Sequence, residues 1–376
     1  MIYLDYAAST PVSEAALEAF TQLSRHYFAN ANSLHDLGTQ TDAVLSYARQ
    51  QLAGWLGNAG GEIFFTDSGS QANLYALLSL AKALPAHKKH ILISQMEHSS
   101  VLNAAQMLMA QGYHVETIAP NRNGEIDEQS LISALRAETG LVSIQHVNSE
   151  TGIIQPLARL SAILKRAGVL LHTDAVQSFS KLDASHSGLG ADVITLAGHK
   201  VYAPKGVGVV SINANVPWQR VFPGNHQQRG FYPGTINVPL IGAFVAACEQ
   251  LWPERERINA HVRDLRAQLV AAIRTSALPI ELFDDSNASI LPGIFGAFYQ
   301  GLPGQYVMLE SNRYGICIAT GSACRVGLDE MSPTLKALGY RVEKAAQFFR
   351  VSFGKDTQAS DITAFVSVLE QLRPTS

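Results

Sequence analysis

Short apolar strands that alternate with helical segments constrain the fold of this chain more than any other feature of its 376 residues. Each candidate strand is followed by a polar or small-residue turn and then by a helical pattern. The candidate strands lie at residues 63–66, 90–93, 115–118, 141–147, 169–174 and 193–196. This alternation predicts a mostly parallel sheet that is covered by helices on both faces, because parallel strands need crossover connections.

The last third of the chain has a different pattern of elements, in which longer helices are followed by a mixture of strands and helices. One buried helical face is marked by apolar residues at steps of four and three, namely Ile258, Val262, Leu265 and Leu269. Strand patterns then lie at residues 290–298, 316–319 and 348–353, and helical patterns lie at 332–338 and 361–372. We expect a segment at 1–15 that packs with the small domain, a large α/β domain at 16–250 and a small α+β domain at 251–376.

Composition and charge exclude several classes of partner. The formal net charge of −3 provides no basic field for nucleic acid or for an anionic membrane. Charged residues make up 16% of the chain, below the usual ~25%, which favours a sizeable buried oligomer interface. The N-terminus lacks the basic start of a signal peptide, and no apolar run reaches the ~18 residues of a membrane span. We therefore expect a cytoplasmic protein.

Cysteine and histidine spacing predicts neither a disulfide framework nor a metal site. The three cysteines, Cys248, Cys317 and Cys324, form no CxxC pair. The twelve histidines show no HExxH or comparable spacing.

A lysine and an aspartate follow two of the apolar strands. Lys200 comes after the strand at 193–196, where partial burial lowers the pKa of an amine and lets it form a Schiff base with an aldehyde. Asp174 ends its own strand, at the edge where open α/β sheets bind ligands. A carboxylate beside a pyridine nitrogen favours the protonated ring, which then accepts electrons. The alternatives are a surface lysine and a helix-capping aspartate, but together the two residues favour pyridoxal 5′-phosphate.

A turn of small residues follows the strand at 63–66 and precedes a helix. Backbone N–H groups at this helix start, together with the hydroxyls of Ser68 and Ser70, predict an anion cradle. The alternative is that these residues only cap the helix.

With these residues assembled, the chain resembles the cysteine desulfurases, which are pyridoxal-phosphate enzymes of the class V aminotransferase group with fold type I. The matching motifs cover nearly the full length. They are Leu4-Asp5-Tyr6-Ala7-Ala8-Ser9-Thr10-Pro11, Glu97-His98-Ser99-Ser100, Asn148-Ser149-Glu150-Thr151-Gly152, His172-Thr173-Asp174-Ala175-Val176-Gln177, Gly198-His199-Lys200, Arg229-Gly230, Pro233-Gly234-Thr235, Gly321-Ser322-Ala323-Cys324 and Arg350-Val351-Ser352-Phe353-Gly354. The resemblance implies a mostly parallel seven-stranded sheet domain and a smaller α+β domain.

The resemblance also implies roles for residues around the cofactor ring. Lys200 is the Schiff-base lysine, Asp174 is the partner of the pyridine nitrogen, and Gln177 bonds the ring hydroxyl. His98 stacks on the ring and helps to move protons, a role that suits an imidazole with a pKa near neutrality.

At the phosphate and substrate ends the resemblance implies two further groups. The phosphate is bound by Gly69, Ser70 and His199, and by Thr235 from the neighbouring subunit, which implies an obligate homodimer. The substrate carboxylate is held by Asn148 and by the planar fork of Arg350.

Cys324 decides which reaction the resemblance implies. Small residues precede it and Arg325 beside it favours a thiolate, the form that attacks sulfur. L-cysteine then yields L-alanine and a persulfide on Cys324, which a protein sulfur acceptor removes. The alternatives are selenocysteine lyase, cysteine-sulfinate desulfinase, aminotransferase, and a non-catalytic sulfur-transfer scaffold.

Several residues depart from the common family pattern near the expected phosphate site. Asp67 and Gln71 alter the usual Thr-Ser-Gly-Ala/Gly-Thr-Glu run, and Ala197 replaces a serine three residues before Lys200. Tyr232 stands where an arginine is frequent. These changes indicate a divergent subfamily in which Lys200 and the other chemical groups are retained.

Overall fold

The computed structural model describes residues 1–283, 289–321 and 331–372. Its helices are α1 Glu14–His26, α2 Asp36–Leu56, α3 Gly69–Ala83, α4 Ser99–Ala110, α5 Glu128–Ala134, α6 Leu157–Ala167, α7 His186–Leu189, α8 Val238–Leu251, α9 Arg255–Thr275, α10 Gly304–Arg313, α11 Pro333–Ala337, α12 Val342–Ala345 and α13 Ala359–Gln371. Its strands are β1 Ile2–Tyr3, β2 Glu62–Thr66, β3 His90–Ser94, β4 His114–Ile118, β5 Thr139–Ser143, β6 Leu170–Asp174, β7 Val193–Ala197, β8 Gly208–Ile212, β9 Ile280–Leu282, β10 Ile294–Tyr299, β11 Ile316–Cys317 and β12 Phe348–Ser352.

The large sheet has seven strands in the order β2-β8-β7-β6-β5-β3-β4. β8 runs antiparallel to both of its neighbours, and the other pairings are parallel. The predicted mostly parallel sheet is therefore confirmed. β8 has no counterpart among the predicted strands, because its residues follow a Pro- and Gly-containing turn directly.

Two apolar cores lie on opposite faces of the large sheet. In β7, Val193 joins the core beneath α3 and α4, whereas Ile194 joins the core beneath α1, α2 and α8. This alternation follows from the two-residue period of a strand. The helices on both faces thus bury the sheet and leave its carboxyl edge as the place for polar residues.

The predicted strand at 141–147 is too long at its carboxyl end. β5 ends at Ser143, and the N–H of Gln145 donates at 2.6 Å to the Glu97 carboxylate rather than to a strand carbonyl. The predicted strand at 290–298 begins too early, since β10 starts at Ile294, after a proline and a glycine.

A second, smaller sheet contains β12, β10 and β9 in antiparallel order. β1 pairs in parallel with β11, so that residues near the N-terminus lie beside the C-terminal part of the chain. In α9, Val262, Leu265 and Leu269 are buried, as their spacing predicts. None of the helices in the described ranges is long and apolar enough to cross a membrane.

Candidate functional site

Four of the candidate residues lie at the carboxyl edge of the large sheet. Asp174 is the last residue of β6, and Lys200 follows β7 by three residues. His98 follows β3, and Asn148 follows β5. Because β3, β5, β6 and β7 run in parallel, their carboxyl ends meet at one edge of the sheet.

Lys200 ends a single 3₁₀ turn that begins at Gly198. Its Nζ donates hydrogen bonds to two carbonyl oxygens of the N-terminal segment, that of Ala7 at 2.5 Å and that of Ala8 at 2.8 Å. The same segment is tied to the turn by the Thr10 N–H, which donates to the carbonyl of His199 at 2.9 Å. The amine is therefore part-buried and held by backbone oxygens.

Asp174 is buried, and both of its carboxylate oxygens accept hydrogen bonds. Oδ2 accepts from the side-chain amide of Asn73 on α3 at 2.7 Å, and Oδ1 accepts from the Val176 N–H at 2.9 Å. The second bond organises the turn after β6, and the first fixes the carboxylate from a different element. Asp174 thus does more than cap a following segment.

Asn73 connects Asp174 to His98. Its Nδ2 also lies 3.0 Å from Ser100 Oγ, which is 2.8 Å from His98 Nδ1. Its Oδ1 accepts a hydrogen bond from the hydroxyl of Thr195 on β7. Sequence reasoning assigned no role to Asn73, Ser100 and Thr195, although Ser100 belongs to the motif at 97–100. Asn73 and Thr195 are marked only as polar residues inside an otherwise apolar helix and strand.

Gln177 and His199 also contact the N-terminal segment. Gln177 Nε2 donates at 2.9 Å to the Ala7 carbonyl, the same oxygen that Lys200 contacts. His199 Nδ1 lies 3.3 Å from Ser9 Oγ. Burial, followed by the charge of Lys200, lowers the pKa of His199 to about 4, so this imidazole is neutral at pH 7.

The start of α3 abuts the end of β7. Ser68 caps the helix by accepting the Gln71 N–H at 3.2 Å. A Cβ added at Gly69 would lie 2.9 Å from the Cβ of Ala197, so the approach requires glycine at 69 and a small residue at 197. The first amides of a helix have no intrahelical partner, so those of Gly69 and Ser70 are the candidates for holding an anion.

The three polar departures from the family pattern contact one another. The Tyr232 hydroxyl lies 2.7 Å from Asp67 Oδ2 and 2.7 Å from Gln71 Oε1, and Gln71 Oε1 accepts the Asp67 N–H at 3.0 Å. Burial, followed by the Asp67 carboxylate, raises the pKa of Tyr232. Thr235 is exposed, and it lines one cleft together with Asp67 and Tyr232. Asp67 is therefore bound by a residue of its own chain.

Asn148 lies in the loop after β5, and Arg350 contacts the same loop. Asn148 Oδ1 accepts the backbone N–H groups of Glu150 and Thr151, each at 2.9 Å. Arg350 is buried, and one terminal nitrogen donates to the Ser149 carbonyl at 2.9 Å while the other pairs with Asp5 at 2.6 Å. Its Nε has no hydrogen-bond partner among the described residues. Cys324, the expected sulfur acceptor of the site, lies outside the described residues.

Glu97 is a buried acid that sequence reasoning did not single out. Its Oε1 accepts the Gln145 N–H, and its Oε2 has no partner within the described ranges. Burial raises the pKa of Glu97 well above that of a free carboxyl. It lines a cleft with His98 and Asn148.

Comparisons with known proteins agree with the geometry of the site. The family described as aminotransferase class-V matches residues 2–365. A relative from Bacillus subtilis, named putative cysteine desulfurase NifS, is 47% identical over 363 residues, which are 96% of this chain and 92% of the relative. A solved structure described as a NifS-like protein has a TM-score of 0.90 at 28% identity and covers 99% of this chain and 98% of its own. Another, described as SspA in complex with cysteine, has a TM-score of 0.82 at 29% identity and covers 94% of this chain and 99% of its own.

Proposed function

The chain belongs to the class V aminotransferase family, and on that premise we propose that it is a pyridoxal-phosphate-dependent cysteine desulfurase that converts L-cysteine to L-alanine. One observation carries the proposal. The neighbouring parallel strands β6 and β7 end on a buried carboxylate, Asp174, and on the turn that bears Lys200. An acid and an amine on adjacent strand ends are the pair that this cofactor requires.

The residues present fit pyridoxal 5′-phosphate. Asp174 is an acceptor for a protonated ring nitrogen, and the start of α3 offers unpaired amides for the phosphate. When bound, the cofactor supplies an aldehyde for an amine and a ring that takes up the electrons of the substrate α-carbon. Gln177 and His199 complete the set on the side of the N-terminal segment.

Lys200 and His98 are the proposed proton-transfer groups. Lys200 Nζ holds the cofactor and takes the α-proton of the substrate, and His98 accepts or returns protons on the other side. The hydrogen bond between His98 Nδ1 and Ser100 Oγ fixes the orientation of the imidazole. Asn148 and Arg350 orient the substrate carboxylate from the loop after β5.

Cys324 is the proposed sulfur acceptor within the protein. Its thiolate attacks the sulfur of the bound cysteine, and a sulfur–sulfur bond forms as the bond between sulfur and the β-carbon breaks. The β-carbon takes up a proton and becomes the methyl group of alanine. The persulfide then passes to a protein acceptor. Turnover stops when nothing removes this sulfur.

Alanine release tests the proposal. With L-cysteine and excess dithiothreitol, the purified holoenzyme produces alanine and sulfide continuously. Without dithiothreitol or an acceptor, alanine stops at about one equivalent per subunit because the persulfide remains on the enzyme. The proposal is wrong if no alanine forms under either condition.

Two variants assign the groups. Lys200→Ala loses the visible absorbance of the bound cofactor, whereas Lys205→Ala, at an exposed position five residues later, retains it. Cys324→Ala loses sulfide release from L-cysteine, whereas Cys248→Ala, at a buried position in α8, retains it. Full sulfide release by Cys324→Ala favours a lyase or desulfinase that needs no cysteine.

We also propose that the enzyme is a homodimer in which Thr235 of one subunit contacts the phosphate in the other. Large apolar side chains on α1, α2 and the loop between them are exposed, as expected of an interface. They are Leu17, Phe20, Phe28, Leu34, Leu37 and Tyr47.

Hybrid dimers test this arrangement. A hybrid of Lys200→Ala and Thr235→Ala subunits contains one fully intact site if Thr235 acts across the interface, and none if it acts within its own chain. Recovery of half the wild-type activity per dimer supports the shared site. Activity no higher than that of the Thr235→Ala parent contradicts it.

A further inference from the structure

Two histidines and a glutamate meet at the amino edge of the large sheet, opposite the edge that bears Lys200. His90 begins β3, His114 begins β4, and the two are directly paired in the parallel register. Glu116 lies two residues after His114, on the same face of β4. We call these three residues the His90–His114–Glu116 cluster.

Two distances within the cluster, one from each histidine to an oxygen of Glu116, equal the spacing of neighbouring zinc ligands. His90 Nε2 lies 3.3 Å from Glu116 Oε2, and His114 Nε2 lies 3.3 Å from Glu116 Oε1. One ligand atom from each residue falls within 4.8 Å of the other two. Since Zn²⁺ binds nitrogen and oxygen at about 2.0–2.1 Å, neighbouring ligands of a tetrahedral ion lie about 3.3–3.4 Å apart.

His90 Nε2 faces this space. The residue is fully buried, and its Nε2 makes no hydrogen bond within the described residues other than the 3.3 Å approach to Glu116. Its Nδ1 lies 2.8 Å from the hydroxyl oxygen of Thr139, which also accepts the Arg136 N–H at 2.8 Å. Metal-binding histidines commonly bond their second nitrogen to an oxygen in this way, which fixes the ring orientation.

We propose that the cluster binds one Zn²⁺ through His90 Nε2, His114 Nε2 and the Glu116 carboxylate, with water as the fourth ligand. His114 is exposed and gives the ion access from solvent, whereas His90 is buried beneath it. The ion joins β4, the edge strand, to β3 and therefore stabilises the sheet rather than taking part in the reaction. This site departs from the expectation, based on spacing, that the chain has none.

Arg136 also contacts the cluster. Its NH2 lies 2.6 Å from Glu116 Oε1 and its NH1 lies 3.3 Å from His114 Nδ1. The two cations compete for the same carboxylate. Because the Arg136–Glu116 pair is partly exposed, and such pairs contribute little to stability, zinc can displace the guanidinium.

Calorimetric titration of the holoenzyme with ZnCl₂ tests the proposal. His114→Ala and Glu116→Gln each weaken zinc binding by at least about tenfold, because each removes a ligand. Arg136→Ala tightens binding severalfold, because it removes the competing cation. A purely structural ion-pair network predicts no such gain. Zinc also raises the melting temperature of the wild type but not that of Glu116→Gln.

Matched controls separate the site from other exposed histidines and arginines. His26→Ala removes an exposed histidine at the end of α1, and Arg122→Ala removes an exposed arginine beyond the other end of β4. Neither changes the zinc affinity. The proposal is overturned if His114→Ala and Glu116→Gln bind zinc as the wild type does, or if Arg136→Ala binds it more weakly. Glu116→Gln carries the test if His114→Ala does not fold.

Discussion

The two ends of the candidate cofactor site are built differently. The ring end, which we define as Asn73, Asp174 and Thr195, is buried, and its side chains bond one another directly. The phosphate end, defined as Asp67, Gln71 and Tyr232, is partly open to solvent, although its side chains also contact one another. Three of the residues that depart from the common family pattern form the phosphate end, and the fourth, Ala197, lies beside Gly69.

The difference indicates which end of the site tolerates amino-acid substitutions. A buried polar group that loses its partner bears the full cost of desolvation, so the ring end accepts a substitution only if every bond is replaced. At the phosphate end water can replace a lost partner. Asp67, Gln71 and Tyr232 could therefore change as a set while the anion-binding helix start was retained.

Asp174→Asn is expected to have the largest effect. It removes the charge that we propose holds a proton on the cofactor ring, and it can direct an amide N–H toward the Asn73 amide. Alanine formation from L-cysteine falls by at least about a hundredfold in kcat. Asp192→Asn is the matched control, since that carboxylate accepts the Leu171 N–H at 2.8 Å at the amino edge of the sheet. Equal losses in both variants would contradict a special role for Asp174.

Asn73→Ala is expected to reduce kcat by about tenfold with little change in KM, because Asp174 and Ser100 lose the amide that positions them. The free energy of unfolding also falls by about 1–3 kcal/mol. Asn58→Ala removes another buried, hydrogen-bonded asparagine. It should lower stability similarly and leave kcat unchanged. If kcat falls equally in both variants, Asn73 has only a structural role.

The folded protein should also lose stability in acid, because of a buried histidine beside the ring end. Burial lowers the pKa of His172, which lies 3.5 Å from Thr195 Oγ1, to about 3. Between about pH 6.5 and pH 3 the unfolded chain binds a proton there that the folded chain does not, so stability falls as the pH falls. From pH 7 to pH 5 this site accounts for about 2 kcal/mol.

Urea unfolding of wild type and His172→Asn at pH 7 and pH 5 measures that share. The variant should lose less stability on acidification than the wild type. His26→Asn, at an exposed position, should leave the pH dependence unchanged. A His172→Asn variant with an unaltered pH dependence contradicts the assignment.

The smallest effect is expected at the phosphate end. Asp67→Asn removes an exposed negative charge near the predicted phosphate site, and it should tighten cofactor binding by only about two- to fivefold, since exposed charges are screened. Titration of the apoenzyme at low and high salt measures this, and the gain should shrink at high salt. Asp36→Asn, at the start of α2, is the control. If Asp67→Asn changes cofactor affinity more than Asn73→Ala does in the same titration, the comparison of the two ends is reversed.

Much of the site follows from the order of strands and polar residues along the chain. The seven-stranded, mostly parallel sheet is as predicted, and Asp174 and Lys200 lie at its carboxyl edge. The presence of most of these strands can be read from local patterns because the two-residue and 3.6-residue periods are local properties, whereas the end of β5 and the start of β10 were predicted wrongly. The roles of the site residues, including Thr235 and Cys324, stay predictions that the variants above address.

The sequence by itself determined that strands and helices alternate, that the sheet is mostly parallel, and that an amine and an acid follow two of its strands. Only the tertiary structure decided which side chains share a bond. Asn73 meets Asp174 across 101 residues, and His90 meets His114 through the register of two parallel strands. Such contacts depend on how whole elements pack, and no local period in the sequence records them.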